Sequence, residues 1–230
     1  MLIIDWNKYF SHIFVISGCS NFERRNWMNQ ELSRINLSNF KYWYNFNDNQ
    51  LLDYSKNTYL IEKHQRVRYA HYSLIKTCYQ LGYDNILIME DDICFLNDLG
   101  KIKEQLEIFN KLKNDVDIYL FDYYNHNNLE YYYADCYYLN RKGMKYLIYM
   151  LENFPLNIDQ YFYTALLNGQ FCDKVFGFFD LDENSSIEIK IDDLSILPIL
   201  LQVSPEHLCI QRFECDIPYD FLDEFLYNKI

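Results

Sequence analysis

The sequence predicts an α/β fold in which a mostly parallel, Rossmann-like central sheet is flanked by helices. In the first half of the chain, short apolar runs typical of strands alternate with longer segments that have the roughly 3.6-residue spacing of helices. This alternation favours strands joined by crossover helices, which is the arrangement of parallel sheets. Half of the 230 residues are hydrophobic, enough for a large core. We therefore expect residues 1–230 to form one domain.

The first predicted elements surround a short polar turn. Residues 12–17 form an apolar run that predicts a buried strand. The turn follows, and either Ser20 or Asn21 is a suitable cap for a helix over residues 22–35. The aromatic segment 40–46 predicts a second strand.

The later elements alternate in the same way and become less regular in the last third of the chain. A helix is predicted over residues 59–81 because its apolar spacing stops at Gly82, and glycine is common at helix ends. Pro155 ends another helix, since the residue before proline avoids the helical conformation. The remaining predicted elements are strands at 85–89 and 116–121, a helix at 98–113, a strand or hairpin at 131–139, helices at 141–153 and 157–167, strands near 171–178 and 186–191, and a loop around Pro198.

Charge and cysteine content exclude several classes of function. The net charge of −12 argues against a nucleic-acid groove, which needs clustered Lys and Arg. Residues 23–25 and 66–68 are the compact basic segments that suit a nucleotide.

The seven cysteines are scattered and contain no C-x-x-C pair, so we expect reduced thiols in a cytoplasmic protein. No apolar stretch approaches the length of a membrane span, so any work at the membrane would be peripheral, at its inner face.

The most informative segment joins an apolar run to three consecutive acids, Glu90, Asp91 and Asp92. A buried strand explains the apolar part, but neighbouring carboxylates repel each other and are costly to desolvate. Mg²⁺ and Mn²⁺ bind carboxylate oxygens and commonly share them with substrate phosphates. Because open α/β sheets bind ligands at the carboxyl ends of their strands, this EDD motif predicts a metal–diphosphate site. The sequence contains no glycine-rich loop that could bind the diphosphate instead.

Four stretches of the chain, taken in order, match the sequence motifs of one known protein family. They are the first strand with Glu23-Arg24-Arg25, Ala70-His71, the segment Leu-Ile-Met-Glu-Asp-Asp-Ile at 87–93, and residues 137–143 with Pro-Leu-Asn-Ile-Asp at 155–159. The third stretch is the most specific. Together they resemble the family 25 glycosyltransferases, which include lipopolysaccharide-biosynthesis and collagen galactosyltransferases. The resemblance extends over roughly residues 12–205.

The resemblance implies a GT-A fold and an inverting transfer of a hexose from a nucleotide-diphosphate sugar, with Mn²⁺ or Mg²⁺ as cofactor. UDP-galactose is the donor it favours. The implied acceptor is an oligosaccharide or glycolipid of lipopolysaccharide, lipooligosaccharide or capsule biosynthesis. Residues 12–122 would bind the nucleotide sugar and residues 123–230 would form the acceptor side.

The resemblance also implies roles for the acids and for several basic residues. Asp92 is the expected direct metal ligand, with Glu90 as helper ligand and Asp91 as ribose contact or support. An exposed acidic turn that caps the next helix is the alternative. The basic residues expected near the donor are Arg24, Arg25, Arg68 and His71. For these, a solvated helix face or a structural histidine is the alternative explanation.

An inverting transfer needs a base to deprotonate the acceptor hydroxyl. Asp159 matches the family's acid and is the first candidate, although a helix cap would also explain an aspartate at that position. Asp122, at the end of a predicted strand, is the second candidate, and Asp135 is a weaker third. Tyrosines 123, 124 and 131–133 could stack on a sugar ring or pack in the core.

Two other classes of function use the same residues. A metal-dependent phosphoesterase would need further acids and histidines from separate strand ends, and it would hydrolyse its substrate without an acceptor sugar. A non-catalytic module of the same fold would bind a sugar nucleotide without turnover, since fold does not fix function.

Overall fold

The computed structural model describes residues 2–45, 62–121, 123–126, 129–132, 134–153, 158, 174–178, 186–190, 199–203 and 209–211. A short 3-10 helix, Trp6–Lys8, precedes the first strand. The four helices of the described ranges are α1 (Phe22–Arg34), α2 (Glu62–Gln80), α3 (Leu99–Leu112) and α4 (Arg141–Asn153). The strands are β1 (Ile13–Gly18), β2 (Lys41–Asn45), β3 (Asn85–Glu90), β4 (Ile93–Phe95), β5 (Ile118–Leu120), β6 (Tyr123–His126), β7 (Leu129–Tyr132), β8 (Cys136–Asn140), β9 (Lys174–Phe178), β10 (Ser186–Lys190), β11 (Leu201–Val203) and β12 (Cys209–Gln211).

Six strands form the central sheet in the order β11-β5-β8-β3-β1-β2. Strand β1 is parallel to both β2 and β3, and β11 is parallel to β5. Strand β8 lies between β3 and β5 and is antiparallel to both. Five strands therefore point one way and one points the other, which confirms the predicted mixed α/β fold with a mostly parallel sheet. The other described pairings are the small sheets β12–β4, β6–β7 and β9–β10.

Both faces of the central sheet are buried at its inner strands β1, β3, β5 and β8, which explains their runs of apolar and aromatic residues, whereas the edge strand β2 is partly exposed. Along β3, Ile86 and Ile88 belong to one core cluster, whereas Leu87 and Met89 belong to the other. The first cluster includes residues of α2 and α4, and the second includes residues of α1 and α3. Helices thus cover the sheet on both sides, with α2 and α4 on one face and α1 and α3 on the other.

Local sequence signals place the helix ends close to their predicted positions. Asp98 caps α3 by accepting from the backbone amides of Gly100 and Lys101. Gly82 follows the end of α2 with a φ of +79°, a conformation that glycine adopts without strain. Asn21 is the residue before α1, as predicted, but its side chain makes no cap hydrogen bond. None of the helices in the described ranges is both long and apolar enough to cross a membrane.

The predicted strands and helices of the first 153 residues agree with the structure within a few residues. The segment 131–139 divides into the end of β7 and most of β8. Strands β4, β6, β11 and β12 were missed, since three or four residues are too few to show a periodicity. In the C-terminal third, β9 and β10 match predicted strands. The predicted loop at Pro198 and most of the predicted helix 157–167 lie outside the described residues.

Gly143 allows α4 to pack closely against β5. A Cβ atom at this position would lie 2.2 Å from the backbone carbonyl oxygen of Asp117. That oxygen already accepts a hydrogen bond from the amide of Asn140, and the Asn140 side chain donates to the Asp117 carboxylate at 2.9 Å. Because the obstacle is hydrogen-bonded backbone, an added methyl group cannot be accommodated by a rotamer change.

We expect Gly143→Ala to lower the free energy of unfolding by about 1–3 kcal/mol, the usual cost of overpacking. Urea denaturation monitored by circular dichroism measures this. Gly100→Ala is the matched control, because its closest neighbour is the rotatable carboxylate of Asp98 at 3.0 Å. Equal stability of the two variants would contradict the close approach of α4 to β5.

Candidate functional site

The candidate site lies where β1, β2 and β3 end and β8 begins. In the parallel register Ile16 is opposite Glu90, so the residues after β1 and after β3 meet at one edge of the sheet. Strand β8 runs the other way and therefore starts at this same edge, where the amide of Glu90 donates to the carbonyl of Asp135 at 2.8 Å. The three acids predicted to form the site, together with Asp135, thus share one edge.

Asp91 and Asp92 are both buried, and Arg24 of α1 lies between them. The Arg24 Nη1 atom is 3.1 Å from Asp92 Oδ2 and 3.4 Å from Asp91 Oδ1. The Ser17 hydroxyl, at the end of β1, donates to Asp91 Oδ2 at 2.5 Å. Two adjacent carboxylates are costly to bury unless positive charge and hydrogen-bond donors compensate them. Arg24 and Ser17 provide this compensation.

Glu90 points away from these two acids. Its Oε1 atom is 3.0 Å from His71 Nε2, and His71 Nδ1 is 2.6 Å from the Tyr137 hydroxyl. An ionised carboxylate only accepts hydrogen bonds, so Nε2–H donates to Glu90, and in the neutral imidazole Nδ1 then accepts from Tyr137. His71 is fully buried, whereas the Glu90 side chain is 20 % exposed. A buried hydrogen-bonded chain therefore fixes the direction of a carboxylate that reaches the surface.

Strand alternation explains why Glu90 and Asp91 separate, whereas Asp92 lies in the turn after β3 and also contacts Arg24. Glu90 continues the face of β3 that carries Ile86 and Ile88, which packs beneath α2 and therefore beneath His71. Asp91 continues the opposite face, which packs against α1 and so meets Arg24. Because successive side chains of a strand point to opposite faces, the acids interact with different helices.

Arg25 fixes the turn between β1 and α1. Its guanidinium donates to the carbonyl of Gly18, to the carbonyl of Cys19 at 3.0 Å and to Ser17 Oγ at 3.2 Å. The guanidinium carbon lies 4.7 Å from the ring centroid of Phe22 and 5.3 Å from that of Tyr44. Through these contacts Arg25 holds the turn in its observed conformation. Its predicted role at the nucleotide remains a prediction.

Tyr42 is a second supporting residue on this side of the site. Its hydroxyl is 3.1 Å from the carbonyl of Arg25 and 2.9 Å from the Asn29 side chain. Burial, helped by the negative charge of Asp91, raises the pKa of Tyr42 to about 12. Its hydroxyl therefore stays protonated at neutral pH and can serve as a donor.

The other predicted site residues are distributed differently. Arg68 is buried in α2, where its Nη2 donates to the carbonyl of Leu151 in α4. This contact joins the two helices and gives Arg68 a structural position, while its predicted donor contact is not tested. Asp135 is buried at the start of β8, next to Glu90. The two first candidates for the base, Asp159 and Asp122, lie outside the described residues.

A divalent cation at this edge of the sheet would need several oxygen ligands. Within the part of the chain that the structure describes, no three His, Cys, Asp or Glu side chains come together as a potential metal site. Asp91 and Asp92 do direct one oxygen each toward the same cationic atom, Arg24 Nη1. Mg²⁺ in particular uses one or two carboxylates and completes its shell with substrate phosphates and water. Two converging carboxylates therefore fit a cation that arrives with a diphosphate.

Sequence reasoning missed four residues of this edge: Ser17, Tyr137, Phe22 and Tyr44. Ser17 had a usable signal, since it is the polar last residue of a buried strand that neighbours the acid strand. The contact between Tyr137 and His71 depends on the antiparallel insertion of β8, which no local pattern indicates. Phe22 and Tyr44 are 69 % and 49 % exposed, so they present aromatic faces beside the site.

Comparison with known proteins gives no sequence match and distant structural likenesses. No protein-family model matches the chain, and no curated protein matches it either. A glycosyltransferase involved in the glycosylation of the major capsid of PBCV-1 is 11 % identical, with a TM-score of 0.37; the match covers 61 % of this chain and 65 % of that chain, less than two thirds of it. A197 from STIV is 13 % identical over 88 % of this chain and 94 % of that chain, with a TM-score of 0.36. TM-scores this low carry no argument, so the resemblance to family 25 stays a prediction.

We expect Ser17→Ala to lower the free energy of unfolding by about 1–3 kcal/mol, because the buried Asp91 carboxylate then loses a donor. Thermal and urea unfolding measure the effect. Ser33→Ala, on the exposed surface of α1, is the matched control and should change stability by less than about 0.5 kcal/mol. A Ser17→Ala variant as stable as this control would contradict the described hydrogen bond.

Proposed function

We propose that this chain is a metal-dependent glycosyltransferase that transfers a hexose from a sugar nucleotide to a glycan. The observation that carries the proposal is the pair of buried carboxylates, Asp91 and Asp92, which converge on one cationic atom at the carboxyl edge of the sheet. A structural role alone gives no reason to bury two adjacent acids, whereas a cation shared with a diphosphate does.

The finer assignment depends on the resemblance described above. It favours an inverting enzyme of family 25 with a GT-A fold, a UDP-hexose donor, most simply UDP-galactose, and Mn²⁺ or Mg²⁺. The acceptor would belong to lipopolysaccharide, lipooligosaccharide or capsule biosynthesis. In this proposal the enzyme works in the cytoplasm or at the inner face of the membrane.

The residues of the site have separate tasks in this reaction. Asp91 and Asp92 would hold the divalent cation, which when bound supplies positive charge to the departing diphosphate. Ser17 orients the Asp91 carboxylate, and Arg25 keeps the turn that carries Ser17 in place. Glu90, predicted as a helper ligand of the metal, is directed toward His71, and in this proposal it would instead accept a hydrogen bond from a hydroxyl of the donor.

The acceptor hydroxyl must lose its proton as it attacks the anomeric carbon. Asp159 is the proposed base and Asp122 the second choice, both on the strength of the resemblance. Asp135 is the candidate that the described residues include, and its backbone contact with Glu90 places it at the same edge of the sheet. Phe22 and Tyr44 offer exposed rings on which the nucleotide base can stack.

Calorimetric titration with UDP, with and without Mn²⁺, tests the metal–diphosphate site. We expect binding that requires Mn²⁺ and that weakens at least about tenfold, or 1.4 kcal/mol, in Asp92→Asn. Asp98→Asn is the matched control, because it removes one carboxylate outside the site and asparagine still caps α3. Binding of UDP without metal, or no binding at all, would remove the proposal.

Two other results would favour the alternative functions. Hydrolysis of a sugar nucleotide without an acceptor would favour a phosphoesterase. Binding of a sugar nucleotide without turnover would favour a non-catalytic module.

Cys19 provides an independent report on where the nucleotide binds. It is exposed in the turn that Arg25 stabilises, two residues after Ser17, which donates to Asp91. Cys78 is buried, and burial raises the pKa of its thiol to about 12, so little reactive thiolate forms at neutral pH. We expect UDP with Mn²⁺ to slow alkylation of Cys19 several-fold, measured by mass spectrometry of the modified peptides, while Cys78 stays unmodified throughout. An unchanged rate at Cys19 under saturating UDP would place the nucleotide elsewhere.

A further inference from the structure

We propose that Arg24 is an exchangeable counterion: it neutralises Asp91 and Asp92 in the metal-free protein, is displaced by the divalent cation, and then contacts the donor's diphosphate. This inference rests on the proposed function, because it assigns a regulatory role to one residue of that same site. It makes metal binding and donor binding depend on each other through a single side chain.

The contacts of Arg24 are those of a replaceable partner. Its Nη1 atom lies 3.1 Å from Asp92 Oδ2 and 3.4 Å from Asp91 Oδ1. Charge-assisted N–H···O hydrogen bonds are normally shorter, about 2.7–2.9 Å. The guanidinium is close enough to balance the charge of both acids, but neither contact has the geometry of a strong ion pair.

Exposure distinguishes Arg24 from its neighbour Arg25. The Arg24 side chain is 27 % exposed, whereas both carboxylates it contacts are almost fully buried. Arg25 is 9 % exposed and donates to two backbone carbonyls and to Ser17. Arg25 is therefore fixed in the turn, whereas the Arg24 side chain lies partly in solvent.

The charges favour this exchange when a donor is present. Arg24 supplies one positive charge to two carboxylates, whereas Mg²⁺ or Mn²⁺ supplies two. A cation and a guanidinium repel each other, so both cannot occupy the position between the carboxylates. The diphosphate of a sugar nucleotide is an acceptor well suited to a displaced guanidinium. Metal and nucleotide should therefore bind cooperatively, and the coupling should be reciprocal.

The test measures Mn²⁺ binding directly, from the electron paramagnetic resonance signal of unbound Mn²⁺ in a titration without nucleotide. We expect Arg24→Gln to bind Mn²⁺ at least about fivefold more tightly than wild type, because its competitor is gone. The same variant should bind UDP in saturating Mn²⁺ several-fold more weakly, because the diphosphate loses a partner. Opposite signs for metal and nucleotide are the expected result of the exchange, whereas a residue that only supports the fold would weaken both when it is removed.

Lys8→Gln is the control for the change in net charge. Lys8 is exposed and pairs with Glu107 at 2.5 Å, and it precedes the amino end of β1, away from the acid pair. Its removal should leave Mn²⁺ affinity within about twofold of wild type, since exposed charges at a distance are screened by salt. An equal gain in Lys8→Gln and Arg24→Gln would mean that net charge alone explains the result, and the inference would be wrong.

The remaining outcomes also decide the question. If wild type binds Mn²⁺ and Arg24→Gln binds it equally or less tightly, the inference fails and the proposed function stands. If wild type shows no Mn²⁺ binding at all, with or without UDP, both fail. Should Arg24→Gln not fold alone, it must fold in the presence of Mn²⁺, because the cation then supplies the missing charge. A variant that stays unfolded in millimolar Mn²⁺, while wild type binds the ion, overturns the inference.

Discussion

Two adjacent carboxylates, Asp91 and Asp92, are buried at the end of β3, and the residues around them are arranged to balance their charge. Arg24 contributes a positive charge from α1, and Ser17 contributes a hydroxyl from the end of β1. Arg25 in turn fixes the turn between that strand and that helix. Without this compensation the acids would oppose folding, because desolvated carboxylates repel one another. The local structure of the first strand–turn–helix unit is therefore coupled to the charge of the third strand.

The antiparallel strand β8 contributes further residues to this edge of the sheet. If β8 were parallel to its neighbours, its first residues would lie at the opposite edge. Because it is antiparallel, Asp135 contacts the backbone of Glu90, and Tyr137 lies within reach of His71. Helix α4 begins directly after β8, and its Gly143 packs closely against the residue before β5. One reversal of direction thus brings a buried hydrogen-bonded chain and a further acid to the candidate site.

Much of the fold could be predicted from the sequence, because uninterrupted apolar runs and helical spacing depend on local residue choice. The helix ends at Asp98 and Gly82 were predictable for the same reason, since capping and positive φ are local properties. The acid triplet could be placed at a strand end from its pattern alone. The insertion of β8 could not be predicted, because the direction of a strand depends on contacts distant in sequence. For that reason the pair of His71 and Tyr137 was missed. The described contacts of Arg25 join it to the turn, and its predicted role at the nucleotide stays a prediction.

In the proposed enzyme, the division of the acid triplet between two helices would link metal binding to donor binding. A strand directs consecutive side chains to opposite faces, so Glu90 turns toward His71 while Asp91 turns toward Arg24. In the described residues this leaves two carboxylates, Asp91 and Asp92, that converge on one cationic atom. Two carboxylates are a weak site for Mg²⁺ or Mn²⁺ unless phosphate oxygens complete the coordination. In the proposed enzyme the metal would be held firmly when the sugar nucleotide is present, and Arg24 would occupy its place at other times. In that enzyme the same arrangement would balance the charge of the two acids without substrate and would leave them available when the substrate binds.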